Sequence, residues 1–165
     1  MDQSLIAKVK KIDVFMTDVD GVLTDGRLYL GNNGEEFKAF DSKDGQGIKL
    51  AQKAGLTIAI ITGRQSRLVD RRAKELDIRE VYQGIDKKVD IYTELMDKYN
   101  LNDDQAAYIG DDVSDIPVLQ KAGLALTVAD AVSQVKEEVD YVASKPGGRG
   151  AVREVLDMIL SFREQ

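Results

Sequence analysis

The chain has 165 residues, of which 43% are hydrophobic and 32% charged, which predicts one globular domain over residues 1–165 with a buried core. Its net charge of −6 argues against non-specific binding to nucleic acid, and no stretch is apolar enough to span a membrane. The absence of cysteine excludes disulfides, and the absence of histidine removes the commonest general base. We therefore expect a cytoplasmic protein whose chemistry uses carboxylates, lysine, arginine, hydroxyl groups or a metal ion.

Apolar strands alternate with amphipathic helices along the chain. Strands are predicted over residues 12–17, 56–61, 106–109, 124–127 and 141–142. Helical stripes are formed by Val69, Ala73 and Leu76, by Tyr92, Leu95, Met96 and Tyr99, and by Val152, Val155, Leu156 and Ile159. This alternation predicts an α/β fold in which helices cover both faces of a mostly parallel sheet.

Two acids follow the first predicted strand. Asp18 and Asp20 are two residues apart, so their side chains lie on the same side of an extended backbone, and Gly21 permits the turn that follows. Ligands bind at such strand exits in open α/β sheets, and a divalent metal ion would supply the counter-charge. Ionised Asp18 would be a nucleophile that needs no neighbouring base, and Asp20 would serve as acid and base. The alternative is a turn whose acids cap backbone amides.

Residues 27–40 interrupt the alternation of strands and helices. Two short apolar stretches, over 27–30 and 35–40, flank Gly31-Asn32-Asn33-Gly34 and predict a protruding β-hairpin. The hairpin is expected to expose five large apolar side chains, namely Leu28, Tyr29, Leu30, Phe37 and Phe40. Such a patch favours contact with another subunit, and the alternative is that the hairpin folds back onto its own sheet.

Two further segments carry groups that suit a phosphate. Thr62-Gly63-Arg64 ends the strand over 56–61, and the Thr62 hydroxyl with the amides after it could hold a phosphate. The alternative for this segment is ordinary helix capping, by Thr62 or by Ser66. Lys87 and Lys88 offer a cation that would neutralise a phosphoryl group, although either could simply be a solvated residue at a helix start.

A second group of acids follows the strand over 106–109. Asp111, Asp112 and Asp115 lie within five residues, and their hard oxygen atoms suit Mg²⁺, which is bound through one or two carboxylates and several waters. The alternative is capping of the next helix by Asp112 or Ser114. Because parallel strands end at the same edge of a sheet, we expect these acids to lie near the first pair.

Together these motifs resemble the haloacid dehalogenase (HAD) superfamily of phosphatases. The shared order is Asp18-x-Asp20-Gly21-x-x-Thr24, then Thr62-Gly63, then a lysine, then Gly110-Asp111-Asp112-x-x-Asp115. Within the superfamily, residues 18–26, 44–48, 60–64, 82–84 and 147–154 are most similar to the family that hydrolyses 3-deoxy-D-manno-octulosonate 8-phosphate (KDO 8-phosphate). The resemblance extends from about residue 12 to residue 162.

The resemblance implies a three-layer, Rossmann-like HAD domain without a large cap domain, and a Mg²⁺-dependent phosphatase that forms a phosphoaspartate. It implies that Asp18 is the nucleophile and a metal ligand, that Asp20 is the acid/base and binds metal through its backbone carbonyl, and that Asp111 is a metal ligand. Lys88, chosen over Lys87 by its spacing from Gln83-Gly84, would bridge Asp18 and the phosphoryl group. Substrate would be bound by Thr62, Gly63, Arg64, Lys88 and Arg149, and Asp112 and Asp115 would support the metal site.

The resemblance also implies a homotetramer in which the hairpin joins subunits and a neighbouring subunit closes each active site. The glycine-rich segment 147–150 would reach into a neighbouring site. The implied role is lipopolysaccharide precursor synthesis. One alternative is a phosphatase of a related nine-carbon keto-sugar-acid 9-phosphate, whose family carries an acid at the position of Arg64. A second alternative is a non-catalytic module of this fold that binds a sugar phosphate or oligomerises.

Overall fold

The computed structural model describes residues 2–34 and 36–163 and has a central sheet of six parallel strands. The strands of the chain are β1 (Val14–Thr17), β2 (Tyr29–Leu30), β3 (Glu36–Phe37), β4 (Thr57–Ile61), β5 (Glu80–Tyr82), β6 (Ala106–Gly110), β7 (Leu124–Thr127) and β8 (Tyr141–Val142). The order in the central sheet is β5-β4-β1-β6-β7-β8. The predicted α/β fold with a mostly parallel sheet is therefore confirmed.

Seven helices accompany the strands in the described part of the chain. They are α1 (Gln3–Val9), α2 (Ser42–Lys53), α3 (Arg67–Glu75), α4 (Lys88–Tyr99), α5 (Ile116–Leu119), α6 (Ser133–Lys136) and α7 (Ala151–Arg163). Strands β1, β6 and β7 are buried along their whole length, as expected for strands covered on both faces. Within residues 2–34 and 36–163, no helix is long and apolar enough to cross a membrane.

The predicted helical stripes face the core, with one exception. Val152, Val155, Leu156 and Ile159 of α7 are fully buried, as are the predicted apolar positions of α3 and most of those of α4. Tyr99 is instead 37% exposed, because its hydroxyl reaches the Glu80 carboxylate, to which it donates a hydrogen bond of 2.6 Å.

Helix α2 is the largest element that the sequence pattern did not predict. Two glycines, Gly45 and Gly47, lower its intrinsic helix propensity, yet both are buried. A Cβ at Gly47 would lie 2.9 Å from Arg153 Cδ of α7, and a Cβ at Gly45 would overlap the Arg72 guanidinium. The glycines therefore allow neighbouring helices to approach α2 closely.

The hairpin forms a separate two-stranded antiparallel sheet. Tyr29 pairs with Phe37 and Leu30 with Glu36, so each strand is shorter than predicted, and Glu35 lies outside the described residues. Leu28, Tyr29, Leu30 and Phe37 are exposed as predicted. The prediction was wrong for Phe40, which packs against the core with its ring centroid 5.8 Å from the Arg72 guanidinium carbon.

Candidate active site

The predicted site residues gather at the carboxyl edge of the sheet. Asp18 follows β1, Thr62 follows β4 and Asp111 follows β6, and β1 lies between the other two strands. They surround an open cavity of about 410 Å³, which is lined by Asp18, Asp20, Gly26, Thr62, Gly63, Arg64, Ile85, Asp86, Lys88, Asp111, Asp112 and Ser114. The volume lies within the usual range for small-molecule sites.

The loop after β1 turns sharply so that both of its acids line the cavity. The Asp18 amide still donates to the Ile109 carbonyl at 3.1 Å, and the next amides, of residues 22–24, all turn back to the Val19 carbonyl. Gly21 has φ +89°, and a Cβ there would overlap the Asp111 carboxylate. Glycine is therefore required both by the turn and by the close approach of the two acidic loops.

Lys88 joins two carboxylates at the bottom of the cavity. Its Nζ donates to Asp18 Oδ2 and to Asp115 Oδ1, both at 2.7 Å, and the residue is only 4% exposed. Lys87 precedes α4 and is exposed. Burial lowers the pKa of Lys88, but the two carboxylates outweigh this effect and raise it overall, so Lys88 is a permanent cation in the site.

Asp115 is the most firmly fixed acid of the group. It is fully buried and accepts hydrogen bonds from the Tyr108 hydroxyl at 2.6 Å and from the amides of Asp111 and Asp112 at 3.0 and 3.2 Å. Burial raises the pKa of Tyr108 well above its usual range, so the hydroxyl stays protonated and donates. The sequence analysis did not identify Tyr108, since an apolar strand gives no signal for which tyrosine hydroxyl will be used.

One cation faces an excess of acids here. Carboxylate oxygens of Asp18, Asp111 and Asp115 lie within 4.8 Å of one another. Burial, with Asp115 nearby, raises the pKa of Asp18 to about 6 despite Lys88. Burial, with Asp18 and Asp115 nearby, raises the pKa of Asp111 to about 8. These shifts show that ionised acids lack counter-charge, and a divalent cation with a preference for oxygen ligands fits this donor set.

Asp20 lies outside that cluster of carboxylates and has a different environment. Its Oδ1 accepts a hydrogen bond from Lys38 Nζ, and Arg64 Nε lies 3.8 Å from its Oδ2. Glu36 Oε1 lies 3.6 Å from Lys38 Nζ and 3.7 Å from Arg64 Nη2. The sequence analysis missed Glu36 and Lys38, although strand alternation in the hairpin places both on the face opposite Phe37.

The segment after β4 combines a cavity wall with a helix cap. Thr62 is 2% exposed, and its amide and carbonyl bond to Tyr82 and Ile85, which leaves its side chain at the cavity. Ser66 Oγ caps α3 by accepting from the Leu68 amide at 3.3 Å. The capping alternative therefore applies to Ser66, and Thr62, Gly63 and Arg64 all line the cavity.

The glycine-rich segment 147–150 packs against the loop after β1 in its own chain. A Cβ at Gly147 would overlap the Gly21 carbonyl, and the Gly148 amide donates to the Val22 carbonyl at 2.9 Å. Arg149 is exposed and is the one predicted substrate-binding residue that does not line the cavity.

An acid-rich site at the carboxyl edge of a parallel sheet, with a buried lysine and a threonine, is the arrangement that the HAD resemblance predicts. A family model described as haloacid dehalogenase-like hydrolase matches residues 32–123. The chain belongs to this family of hydrolases.

Curated relatives and solved structures show which members of the family the chain is similar to. The chain is 47% identical over 156 residues to the 3-deoxy-D-manno-octulosonate 8-phosphate phosphatase KdsC of Escherichia coli K12, over 94% of this chain and 83% of the relative. The solved structure of the phosphatase of that name from Yersinia pestis has a TM-score of 0.98 at 43% identity, over 99% of this chain and 89% of the other. The Moraxella catarrhalis phosphatase, solved with magnesium, phosphate and KDO, has a TM-score of 0.97 at 40% identity, over 99% and 94%.

Proposed function

We propose that this protein is a Mg²⁺-dependent phosphatase that hydrolyses KDO 8-phosphate to KDO and inorganic phosphate. The observation that carries the proposal is the buried Asp18–Lys88 pair beside Asp111, in a cavity that also contains Thr62 and Asp20. Relatives that bear the name of this activity are 45–47% identical to the chain over aligned stretches of 156–161 residues. The implied role is in lipopolysaccharide precursor synthesis.

In the first step an Asp18 carboxylate oxygen attacks the phosphorus while the bond from phosphorus to the C8 oxygen of the sugar breaks. Asp20 gives a proton to the departing oxygen, so that KDO leaves as an alcohol. Lys88 neutralises charge on Asp18 and on the transferring group, and Thr62 binds a phosphoryl oxygen. Bound Mg²⁺, held by Asp18, Asp111 and the backbone carbonyl of Asp20, would offset negative charge on the nucleophile and the phosphoryl group.

In the second step Asp20 takes a proton from a water molecule, which attacks the phosphorus of the phosphoaspartate. The bond between phosphorus and the Asp18 oxygen breaks, which releases inorganic phosphate and regenerates both aspartates. Asp20 lines the cavity without belonging to the Asp18–Asp111–Asp115 cluster, which favours separate roles for the acids. A chain without histidine needs a carboxylate for this proton transfer.

The substrate is an acidic sugar phosphate, so we expect cationic groups around the part of the cavity distant from the phosphate. Arg64 lines the cavity and is half exposed, so its guanidinium could bind a sugar carboxylate. It also favours the eight-carbon substrate over the nine-carbon alternative, whose family carries an acid there. Arg149 would have to contribute from outside the cavity.

The test is a panel of phosphate esters assayed with Mg²⁺ by release of inorganic phosphate. KDO 8-phosphate should give the highest kcat/KM, at least about 10-fold above the nine-carbon keto-acid 9-phosphate and glucose 6-phosphate. Chelation with EDTA should abolish turnover, and added Mg²⁺ should restore it. Preference for the nine-carbon ester would overturn the substrate, and absence of Mg²⁺-dependent turnover on every ester would favour the non-catalytic alternative.

Arg64 offers a sharper version of the same test. Arg64→Glu should lower kcat/KM for KDO 8-phosphate by about 10- to 100-fold, because it places like charge beside the sugar carboxylate and also beside Asp20 and Glu36, which Arg64 faces at 3.8 and 3.7 Å. Arg67→Glu, an exposed arginine three residues further on, is the matched control and should leave kcat/KM within about 2-fold.

We also propose that the protein is a cytoplasmic homotetramer of HAD-like domains covering residues 1–165, in which neighbouring subunits close each active site. The exposed apolar side chains of the hairpin and the openness of the cavity support this assembly. Light scattering after size-exclusion chromatography should give a tetramer for the wild type and a smaller species for Leu30→Ser/Phe37→Ser. A wild-type monomer would contradict it.

A further inference from the structure

We propose that Lys38 is a positioning residue for Asp20, so that the hairpin orients the acid/base group of the active site from within the same chain. The inference rests on the proposed function, because it assigns a task to a residue through Asp20. It adds a role for the hairpin beyond contact between subunits.

Strand alternation gives the hairpin two faces with different chemistry. Phe37 is 65% exposed on the outer face. Glu36 and Lys38, its neighbours in sequence, turn inward and form ion pairs with Asp20 and Arg64, which line the cavity. One short strand therefore presents an apolar side to the outside and an ionic side to the acid/base group.

The Lys38 ammonium is enclosed in a balanced group of charges. Its side chain is only 2% exposed, so its charge must be compensated within the protein. With Asp20 ionised, Asp20 and Glu36 provide two negative charges, and Lys38 and Arg64 provide two positive ones. For the first step Asp20 must bind a proton on Oδ2, while Oδ1 still accepts from Lys38. Hydrogen bonding of the Ser66 hydroxyl lowers the pKa of Glu36, with Lys38 and Arg64 adding to the effect, which keeps Glu36 ionised.

Glu36 shows how closely this group depends on Lys38. Among the residues that the structure describes, its Oε1 is the one buried side-chain oxygen or nitrogen without a hydrogen-bond partner. The cations nearest to this oxygen are Lys38 at 3.6 Å and Arg64 at 3.7 Å. Removal of Lys38 would thus leave both Glu36 and Asp20 undercompensated.

The hydrogen bond also distinguishes the two oxygens of Asp20. Lys38 binds Oδ1, whereas the nearest cation to Oδ2 is Arg64 Nε at 3.8 Å, beyond hydrogen-bond distance. Oδ2 is therefore the oxygen left to exchange a proton with the sugar oxygen. A carboxylate that rotated freely would meet the leaving oxygen in the correct orientation less often.

The test compares two esters that differ in their need for a proton. The C8 oxygen of KDO is a poor leaving group and needs the proton from Asp20, whereas the nitrophenolate of p-nitrophenyl phosphate leaves without one. For Lys38→Met we expect kcat/KM to fall by about 10- to 100-fold with KDO 8-phosphate and by less than about 3-fold with p-nitrophenyl phosphate. Because kcat/KM reports steps up to phosphorylation of Asp18, water activation does not enter it.

Three further variants complete the experiment. Lys38→Arg should restore most of the lost kcat/KM, because it returns a cation to Asp20. Lys43→Met removes an exposed lysine nearby and should leave both kcat/KM values unchanged. In an Asp20→Asn background, Lys38→Met should cost less than about 3-fold more with KDO 8-phosphate, because the group that it positions is already lost.

Equal losses of kcat/KM on the two esters would overturn the inference, since a lysine that only stabilises the fold cannot distinguish leaving groups. Additive losses in the Asp20→Asn background would overturn it as well. If Lys38→Met does not fold, Lys38→Leu carries the same comparison, because it also removes the donor to Asp20. Failure of the proposed function itself would appear separately, as a wild-type enzyme that does not turn over KDO 8-phosphate.

Discussion

The carboxyl edge of the sheet and the hairpin differ in how far their side chains are buried. At the sheet edge, Asp18 and Asp115 are buried and both accept hydrogen bonds from the buried Lys88, at the ends of core strands and the start of a helix. The hairpin has two-residue strands outside the central sheet and exposes its apolar side chains. Asp18, the proposed nucleophile, is therefore supported by buried elements of the core, whereas Asp20 also pairs with a hairpin whose apolar side chains are exposed.

The contrast between sheet edge and hairpin depends on Asp18 being the nucleophile. Asp18→Asn removes the attacking carboxylate and should lower kcat for KDO 8-phosphate by about 10³-fold or more, the scale of loss when a nucleophile is removed. Circular dichroism should show an unchanged fold. Asp97→Asn on the exposed face of α4 is the control and should keep wild-type turnover. Near wild-type kcat in Asp18→Asn would exclude the phosphoaspartate mechanism.

Lys87 and Lys88 are adjacent in sequence, but only Lys88 is buried among the acids of the site, so substitutions of the two should differ in effect. Lys88→Met leaves Asp18 and Asp115 without their cation, so we expect a loss of about 3 kcal/mol in unfolding free energy and a 10²- to 10³-fold loss in kcat/KM. Lys87→Met affects an exposed side chain and should change unfolding free energy by less than about 0.5 kcal/mol. Urea unfolding in EDTA and steady-state kinetics measure both. A larger kinetic loss from Lys87→Met would reverse the assignment.

The sheet edge was accessible from the sequence because it follows from strand order and burial. Continuous apolar runs predict β1, β4 and β6, and the carboxyl ends of parallel strands converge, so motifs distant in sequence were expected around one cavity. Helix α2 was not accessible in this way, since Gly45 and Gly47 oppose a helix locally and are explained only by the residues packed against them. Strand β5 has three residues, too few for a periodic pattern.

The contacts of Glu36 and Lys38 with Asp20 could not be predicted from strand order and burial. The alternation of Glu36, Phe37 and Lys38 indicates two faces, but nothing local determines that one of them will meet Asp20. Arg149 differs, because the resemblance assigns it to a substrate site while it lies outside the cavity of its own chain, so its predicted role depends on a neighbouring subunit. Contacts that depend on how a loop returns to the core require the folded structure.

Gly147, which packs against the loop after β1, and Gly34 in the hairpin allow the same two regions to be compared through the backbone. In Gly147→Ala the new Cβ would overlap the backbone of the loop after β1, so we expect a loss of about 2–3 kcal/mol in unfolding free energy and a lower kcat/KM. Gly34 in the hairpin has φ +84°, and a Cβ there would have no other atom within 4 Å, so Gly34→Ala should cost about 1 kcal/mol from backbone strain alone. Equal kinetic effects of the two variants would show that the loop is not held by segment 147–150.

Asp44 lies in the first turn of α2, shortly after the hairpin segment 27–40. Its buried carboxylate accepts hydrogen bonds from the Arg153 amide at 2.7 Å and the Gly150 amide at 3.3 Å, at the start of α7. Burial raises the pKa of Asp44 to about 6, although these amides oppose the shift. The folded protein therefore binds this proton more tightly than the unfolded chain does.

The sign of the pH dependence follows from that difference. The contribution of Asp44 to stability is fully present below about pH 4 and is lost as the pH rises through about 6. Relative to Asp44→Asn, the unfolding free energy of the wild type should fall by about 1–2 kcal/mol between pH 4 and pH 7, as measured by urea unfolding in EDTA. If the difference in unfolding free energy between wild type and Asp44→Asn stays constant, or grows in favour of the wild type, the Asp44 carboxylate is hydrated at the α2–α7 junction. The buried packing of the core would then not include Asp44.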